Sequence, residues 1–170
     1  MKKSLLAMMI VTSSLNVAYA ADGTVHFQGN IIADACTVDT ASKDMTVVLG
    51  DVATTAFTAA GDKASPEKFQ INLTACPSAV TAVTVKFDGV SDATNTDLLA
   101  LDSGQTATGV GIEIADKNGN PIALHTASPS YPVATGGTAT LDFIGRYVAT
   151  TATVGAGTAN GTSQFTINYQ

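Results

Sequence analysis

Two cysteines, two histidines and a series of spaced aspartates are the residues of this 170-residue chain whose types could support chemistry. Cys36 and Cys76 lie 76 − 36 = 40 residues apart. That is far from the close Cys-x-x-Cys spacing of a redox dithiol or a zinc pair. An even thiol count in an exported chain instead reads as one structural disulfide. With both thiols committed, only His26 and His125 remain as soft ligands, too few for a zinc or copper centre. Asp88, Asp92, Asp97 and Asp102 do not follow the Asp-x-Asp-x-Asp-Gly pattern of a calcium loop and read as a solvated acidic stretch. There is no Gly-x-Ser-x-Gly elbow and no free thiol for nucleophilic catalysis. Gly155-Ala156-Gly157 with Gly161 lacks the Lys-Ser/Thr pair and the following helix that a phosphate loop needs. Asn72-Leu73-Thr74 and Asn160-Gly161-Thr162 match the glycosylation triplet, a pattern that also arises by chance. The expectation is therefore no catalytic, cofactor or metal site, and no enzyme.

The export reading rests on residues 1–20. Lys2 and Lys3 precede an apolar stretch from Leu5 to Val17, and Ala18-Tyr19-Ala20 supplies a small-x-small cleavage pattern. The stretch is interrupted by Thr12, Ser13, Ser14 and Asn16 and is shorter than the ~20 apolar residues of a spanning helix. Cleavage after Ala20 predicts a mature chain of 170 − 20 = 150 residues, one ordinary domain. Loss of two lysines leaves 6 basic against 14 acidic groups, a net charge of −8. Phosphate backbones and anionic lipid surfaces repel such a chain, so nucleic acid and membranes are poor partners.

The elements that would hold these residues are strands. Phe69, Ile71, Leu73 and Ala75 alternate with polar neighbours, as do Val83, Val85 and Phe87, then Val110, Ile112 and Ile114. Asn118-Gly119 between such runs is a hairpin signal, with Ile122 and Leu124 beyond it. Ala139, Leu141, Phe143, Gly145 and Tyr147 alternate again, and Phe165, Ile167 and Tyr169 close the sequence. Turn-rich stretches at 61–66, 88–97, 103–109, 127–137 and 155–163 separate them. Short alternating strands without a helical period predict an antiparallel β-sandwich in one domain. Residues 21–32 form a further strand pattern: Gly23, Val25, Phe27, Gly29 and Ile31 share one face, and Thr24, His26, Gln28 and Asn30 the other. A strand at each chain end, where ends usually fray, predicts strand donation between subunits.

The run Gly23-Thr24-Val25-His26-Phe27-x-Gly29, Ala35-Cys36, Cys76, Arg146-Tyr147, Gly157 fourteenth from the end, and Phe165-x-Ile167-x-Tyr169 together resemble the chaperone–usher pilins, in particular type 1 fimbrial major subunits. The resemblance covers essentially the whole mature sequence. It implies an incomplete immunoglobulin-like sandwich lacking its last strand, divided as signal peptide 1–20, donor extension 21–32 and pilin domain 33–170. It also implies a groove flanked by Phe165, Ile167 and Tyr169. A periplasmic chaperone would fill that groove first, and then the extension of another copy, with Val25, Phe27 and Ile31 as apolar anchors and an outer-membrane usher as a further partner. Gly23 and Gly29 weaken the donor as a strand and suit a groove whose backbone comes close.

The expected function is a structural subunit of a cell-surface fimbria, assembled from copies of itself and related pilins, with a role in adhesion. The alanine- and threonine-rich composition favours the rod subunit over a minor adaptor. A sugar-binding adhesin is the alternative. The sequence is short for a two-domain adhesin, carries the donor pattern and has no tryptophan to stack on a sugar ring. No small-molecule substrate is implied.

Overall fold

The computed structural model describes residues 23–29, 31 and 35–170, and the chain separates into two units, Met1–Ile31 and Ile32–Gln170. The predicted signal peptide lies outside the described residues. In the first unit, residues 23–29 and 31 belong to no strand, although their alternation predicts one. Their large apolar side chains face solvent: Val25 is 75% exposed, Phe27 92% and Ile31 103%. A strand exists only through a ladder partner, and none is found for this segment among the described residues.

From residue 35 onward two antiparallel sheets face each other. The first orders its strands β1 (Thr37–Val38), β2 (Lys63–Thr74), β7 (Ala139–Ala149), β4 (Val110–Asp116) and β5 (Pro121–Ile122). The second orders β6 (Tyr131–Pro132), β3 (Ala82–Asp88) and β8 (Gln164–Tyr169). Helix is confined to α1 (Thr40–Lys43) and a 3-10 turn at Thr54–Ala56 among the described residues. Asp39 caps α1 by accepting from the Ala41 amide at 2.9 Å.

The period of two decides which side chains meet between the sheets. Ile71 and Leu73 of β2, Val83, Val85 and Phe87 of β3, and Leu141 and Phe143 of β7 are all buried. Phe143 is the hub, with ring centroids 5.4 Å from Phe69, 5.0 Å from Phe87 and 5.5 Å from Tyr131. Tyr131 donates its hydroxyl proton to the Asp142 carbonyl at 2.9 Å. Burial, and to a lesser degree the negative charges of Asp116 and Asp142, push its pKa up to about 12, so it stays a donor.

Two strands depart from the sequence reading. The stretch 61–66, expected as a turn, contains the start of β2, which passes through a bulge between Ala64 and Glu67. Ser65 takes φ 53° there, and Pro66 has no N–H that a ladder would require. In β4 the alternation predicts an outward, solvated Glu113, yet the residue is 5% exposed. Lys63 Nζ reaches its two oxygens at 3.0 and 2.8 Å, and Arg146 Nε reaches Oε1 at 2.6 Å. Arg146 also donates to the Gly119 carbonyl at 2.9 Å. Arg146 is Glu113's register partner across β4 and β7, so the triad pins β2, β7 and β4 in one register.

Cys36 and Cys76 are bonded, at a Cα separation of 4.0 Å. That is shorter than the ordinary range of roughly 4.4–6.8 Å. The two residues flank the Thr37↔Thr74 pair, so the bond ties β1 to the end of β2 where the two strands already run side by side.

The aspartates organise loops. Asp62 accepts from the Thr58 amide at 2.6 Å, the Thr58 hydroxyl at 2.8 Å and the Ala59 amide at 2.8 Å, which hold its pKa below the usual carboxylate value. Asp116 is lowered by the Asn120 side chain first and then by the Asn120, Asn118 and Gly119 amides. Asp88 is lowered by hydrogen bonds from His125 and then Lys86. Groups with depressed folded pKa values stabilise above their unfolded pKa and lose that contribution as pH falls through the folded one. The urea midpoint should therefore be flat near neutrality and fall only below about pH 4. Asp62→Asn should reduce that acid dependence, which urea titrations across pH would check.

Candidate functional site

The last strand, β8, sits at the edge of its sheet and pairs only with β3 among the described residues. Its pairing phase follows from its end: the Gln170 amide donates to the Ala82 carbonyl at 2.8 Å, and the Ala82 amide to the Gln170 carbonyl at 3.2 Å. Antiparallel ladders alternate, so Asn168, Thr166 and Gln164 also turn their backbone groups toward β3. Phe165, Ile167 and Tyr169 turn theirs outward. The opposite edge of β3 has the matching phase, because the Val85 carbonyl accepts from the Ser128 amide at 2.7 Å and the Phe87 carbonyl from the His125 amide at 2.8 Å, both away from β8.

Phe165, Ile167 and Tyr169 are also the apolar side chains of β8. They are half-buried, packed against the core without being closed into it, while Gln164, Thr166 and Asn168 are exposed. The same three residues thus carry three N–H and three C=O groups without a ladder partner among the described residues, and three partly wet apolar side chains. Both are incomplete in the way a missing neighbouring strand would leave them.

A second stretch without a ladder partner among the described residues is residues 45–50. Met45, Val47 and Leu49 are half-buried, alternating with exposed Thr46, Val48 and Gly50. Among the described residues its backbone makes no backbone–backbone hydrogen bond; the Leu49 carbonyl accepts from the Ser65 hydroxyl. A side chain at Gly145 of β7 would meet Leu49 at 3.7 Å, Val47 at 3.8 Å and Phe69 at 3.9 Å, so these residues converge over that strand. The sequence reading missed this segment. Its signal, Met45-x-Val47-x-Leu49, is hidden by Val48, which is apolar yet 72% exposed.

Residues 151–163 lead into β8 and lie pressed against 102–109. The amides of Thr106 and Ala107 donate to the Thr158 carbonyl at 3.2 and 3.1 Å, and the Asp102 amide to the Asn160 carbonyl at 2.8 Å. Asp102 in turn accepts from the Thr162 amide at 3.0 Å and its hydroxyl at 2.9 Å. Tyr147 donates to the Ala159 carbonyl at 3.0 Å, and burial raises its pKa. Gly157 is forced by the fit, because a Cβ there would collide with the Ala107 nitrogen and Thr106. Arg146-Tyr147 therefore serves the fold twice, through the Glu113 triad and through this strap.

The predicted donor residues Gly23, Val25, Phe27, Gly29 and Ile31 are exposed. Among the described residues no group of three His, Cys, Asp or Glu side chains could hold a metal ion, and no helix is long and apolar enough to cross a membrane. The acidic stretch is occupied by local bonds: Asp92 accepts from the amides of Thr94 and Asn95 at 2.9 and 3.0 Å, and Asp102 holds Thr162.

Residues 25–170 match the family model described as fimbrial protein. The sequence is 38% identical over 182 residues to a type-1 fimbrial protein subunit of Serratia marcescens, with all of both proteins covered. It is 43% identical over 153 residues to the type-1 fimbrial protein A chain of Salmonella typhi, with 87% of this protein and 83% of that one covered. Its fold is similar to the P pilus rod subunit PapA, with a TM-score of 0.65 at 18% identity, over 81% of this protein and 100% of the other. The two-layer antiparallel sandwich is thus the immunoglobulin-like fold of pilins. The protein belongs to the fimbrial protein family and is a structural, non-enzymatic subunit of a surface fimbria.

Proposed function

We propose that this subunit polymerises by strand donation, residues 21 to about 32 of one copy adding to the free edge of β8 in the next. The observation that carries the reading is the coincidence, in Phe165, Ile167 and Tyr169, of unpaired backbone groups with half-buried apolar side chains. An incoming strand satisfies the free edge of β8, which is β-augmentation with pockets for alternate side chains. We take residues 45–50, whose Met45 and Leu49 pack on the same core as Phe165, Ile167 and Tyr169, as the other wall of its slot. The donor face presents Val25, Phe27 and Ile31, each worth roughly 1.5–3 kcal/mol when fully buried. Each backbone hydrogen bond adds about 0.5–1.5 kcal/mol before ordering costs. The extension's Gly23 and Gly29 let its backbone lie close to the acceptor.

Before assembly the same edge needs a temporary cover, which is the part of a periplasmic chaperone, with an outer-membrane usher as the site of exchange. Similarity to a rod subunit and the low charge content favour the rod over an adaptor position.

A synthetic peptide of residues 21–32 tests the reading directly. Added to the full subunit at about a hundredfold excess over its Kd, it should stabilise by about 2.7 kcal/mol. For a domain of this size that raises the melting midpoint by roughly 5–10 °C. The peptide with Phe27→Asp should give no shift. Equal shifts from both peptides, or none from either, would refute the donor assignment.

A further inference from the structure

Two Asn-Gly pairs occur in the sequence, Asn118-Gly119 and Asn160-Gly161, and the fold treats their glycine amides oppositely. An Asn-Gly pair can close on itself. The deprotonated glycine nitrogen attacks the asparagine Cγ, a new bond forms between them, the Cγ–Nδ2 bond breaks and ammonia leaves. Water then opens the cyclic imide to aspartate or isoaspartate, with no redox partner involved. Closure needs a free glycine N–H and freedom for the asparagine side group to swing onto it.

At Asn118 the side group is exposed but the first condition is not met. The Gly119 amide is committed to the Asp116 carbonyl at 2.9 Å, and Gly119 sits at φ 83° in the turn. Asp116 Oδ1 also binds the amides of Asn118 and Asn120 at 2.8 and 2.9 Å, and Arg146 holds the Gly119 carbonyl at 2.9 Å. The turn must open before the ring can form.

At Asn160 the glycine amide is free among the described residues, although the Asn160 amide donates to Gln105 Oε1 at 2.9 Å and its carbonyl accepts from the Asp102 amide at 2.8 Å. The residue is exposed and its carboxamide makes no hydrogen bond among the described residues, and the Gly161 amide donates to none of them. The glycine is also imposed by packing, since a Cβ at 161 would lie 2.8 Å from Ile112 Cδ1 and 3.1 Å from the Ala100 carbonyl oxygen. A bulkier residue that would slow closure is excluded at the one position where it would help.

We propose that Asn160 is a site of spontaneous deamidation in the folded subunit, and that Asn118 is protected. The product puts a negative charge on the residue whose backbone carbonyl accepts from the Asp102 amide, and the Asp102 carboxylate is what fastens Thr162 and so the strap into β8. Repulsion between the two loosens residues 154–163. The modification therefore acts on the approach to the strand edge without touching Phe165, Ile167 or Tyr169.

The test is peptide mapping by mass spectrometry of the full mature subunit aged at mildly alkaline pH, with fragmentation that separates isoaspartate from aspartate. Asn160 should convert at least about ten times faster than Asn118, since each protecting hydrogen bond that must first open slows closure severalfold. In urea the two pairs should convert alike. Comparable rates in the folded protein would overturn the proposal, as would conversion of Asn160 no faster than that of Asn72. A rate ratio unchanged by unfolding would also overturn it, because the preference would then be local sequence and not fold. Asn160→Asp should speed amide hydrogen exchange across 154–163, and unchanged exchange would remove the proposed effect on the strap.

Discussion

In a fibre-assembly assay, Phe27→Asp should leave the subunit folded and chaperone-bound but unable to polymerise, while His26→Asp should still assemble. The two positions are adjacent and both exposed, so neither change disturbs the subunit's own core. They differ in the face they present to an acceptor. Phe27 shares the donor face with Val25 and Ile31, whereas His26 shares the other with Thr24 and Gln28. Placing a carboxylate on the donor face forfeits a buried phenyl worth about 3 kcal/mol. It also forces desolvation of a charge against Phe165, Ile167 and Tyr169, a further cost of several kcal/mol. At about 1.4 kcal/mol per tenfold, that is a loss of at least about a thousandfold in joint affinity. His26→Asp changes a residue that stays in water and alters only long-range repulsion in an already acidic polymer. Fibre yield by electron microscopy and chaperone co-purification are the measurements. Equal yields from the two variants would remove strand donation.

Strands whose buried and exposed faces alternate were legible because period two leaves a direct trace in residue type. Ile71 and Leu73, Val83 to Phe87, Leu141 and Phe143, and Phe165 to Tyr169 all show it. The free edge of β8 was legible only as residues; its hydrogen-bonding phase depends on where Gln170 meets Ala82, a tertiary fact. Residues 45–50 escaped because Val48, apolar yet 72% exposed, blurs the alternation of Met45, Val47 and Leu49. Glu113 escaped for a different reason. A lone glutamate in an alternating strand reads as solvated, and its two cations come from Lys63, 50 residues away, and Arg146, 33 residues away. Gly61 to Pro66 was read as a turn because glycine and proline usually mark one, yet a bulge lets the same residues start a twelve-residue strand.

Replacing both cysteines, Cys36→Ala with Cys76→Ala, should lower stability by about 4 kcal/mol, the loop-closure entropy of a 40-residue loop. Against a typical domain stability of roughly 5–15 kcal/mol this is a large fraction of the whole. Urea unfolding should show a lower midpoint and, because the unfolded protein is no longer tied, a steeper denaturant dependence. The loss should not be spread evenly. Beyond the disulfide, the start of the body is held to β2 by a two-residue strand, Thr37↔Thr74 and Val38↔Leu73, and by the Asp39 amide on the Asn72 carbonyl at 2.9 Å. After α1, whose buried Ser42 hydroxyl accepts from the Asn72 amide at 3.0 Å, come residues 45–50, which have no backbone ladder of their own among the described residues. Once the covalent tie is cut, that segment has, among the described residues, only side-chain packing and the Ser65 bond to the Leu49 carbonyl to keep it in place, whereas β8 keeps its six-residue ladder with β3. The double variant should therefore bind the 21–32 peptide more weakly than the disulfide-bonded subunit even at urea concentrations where both are still folded. A lower midpoint with unchanged peptide affinity would show that β8 alone forms the acceptor, with residues 45–50 taking no part in it.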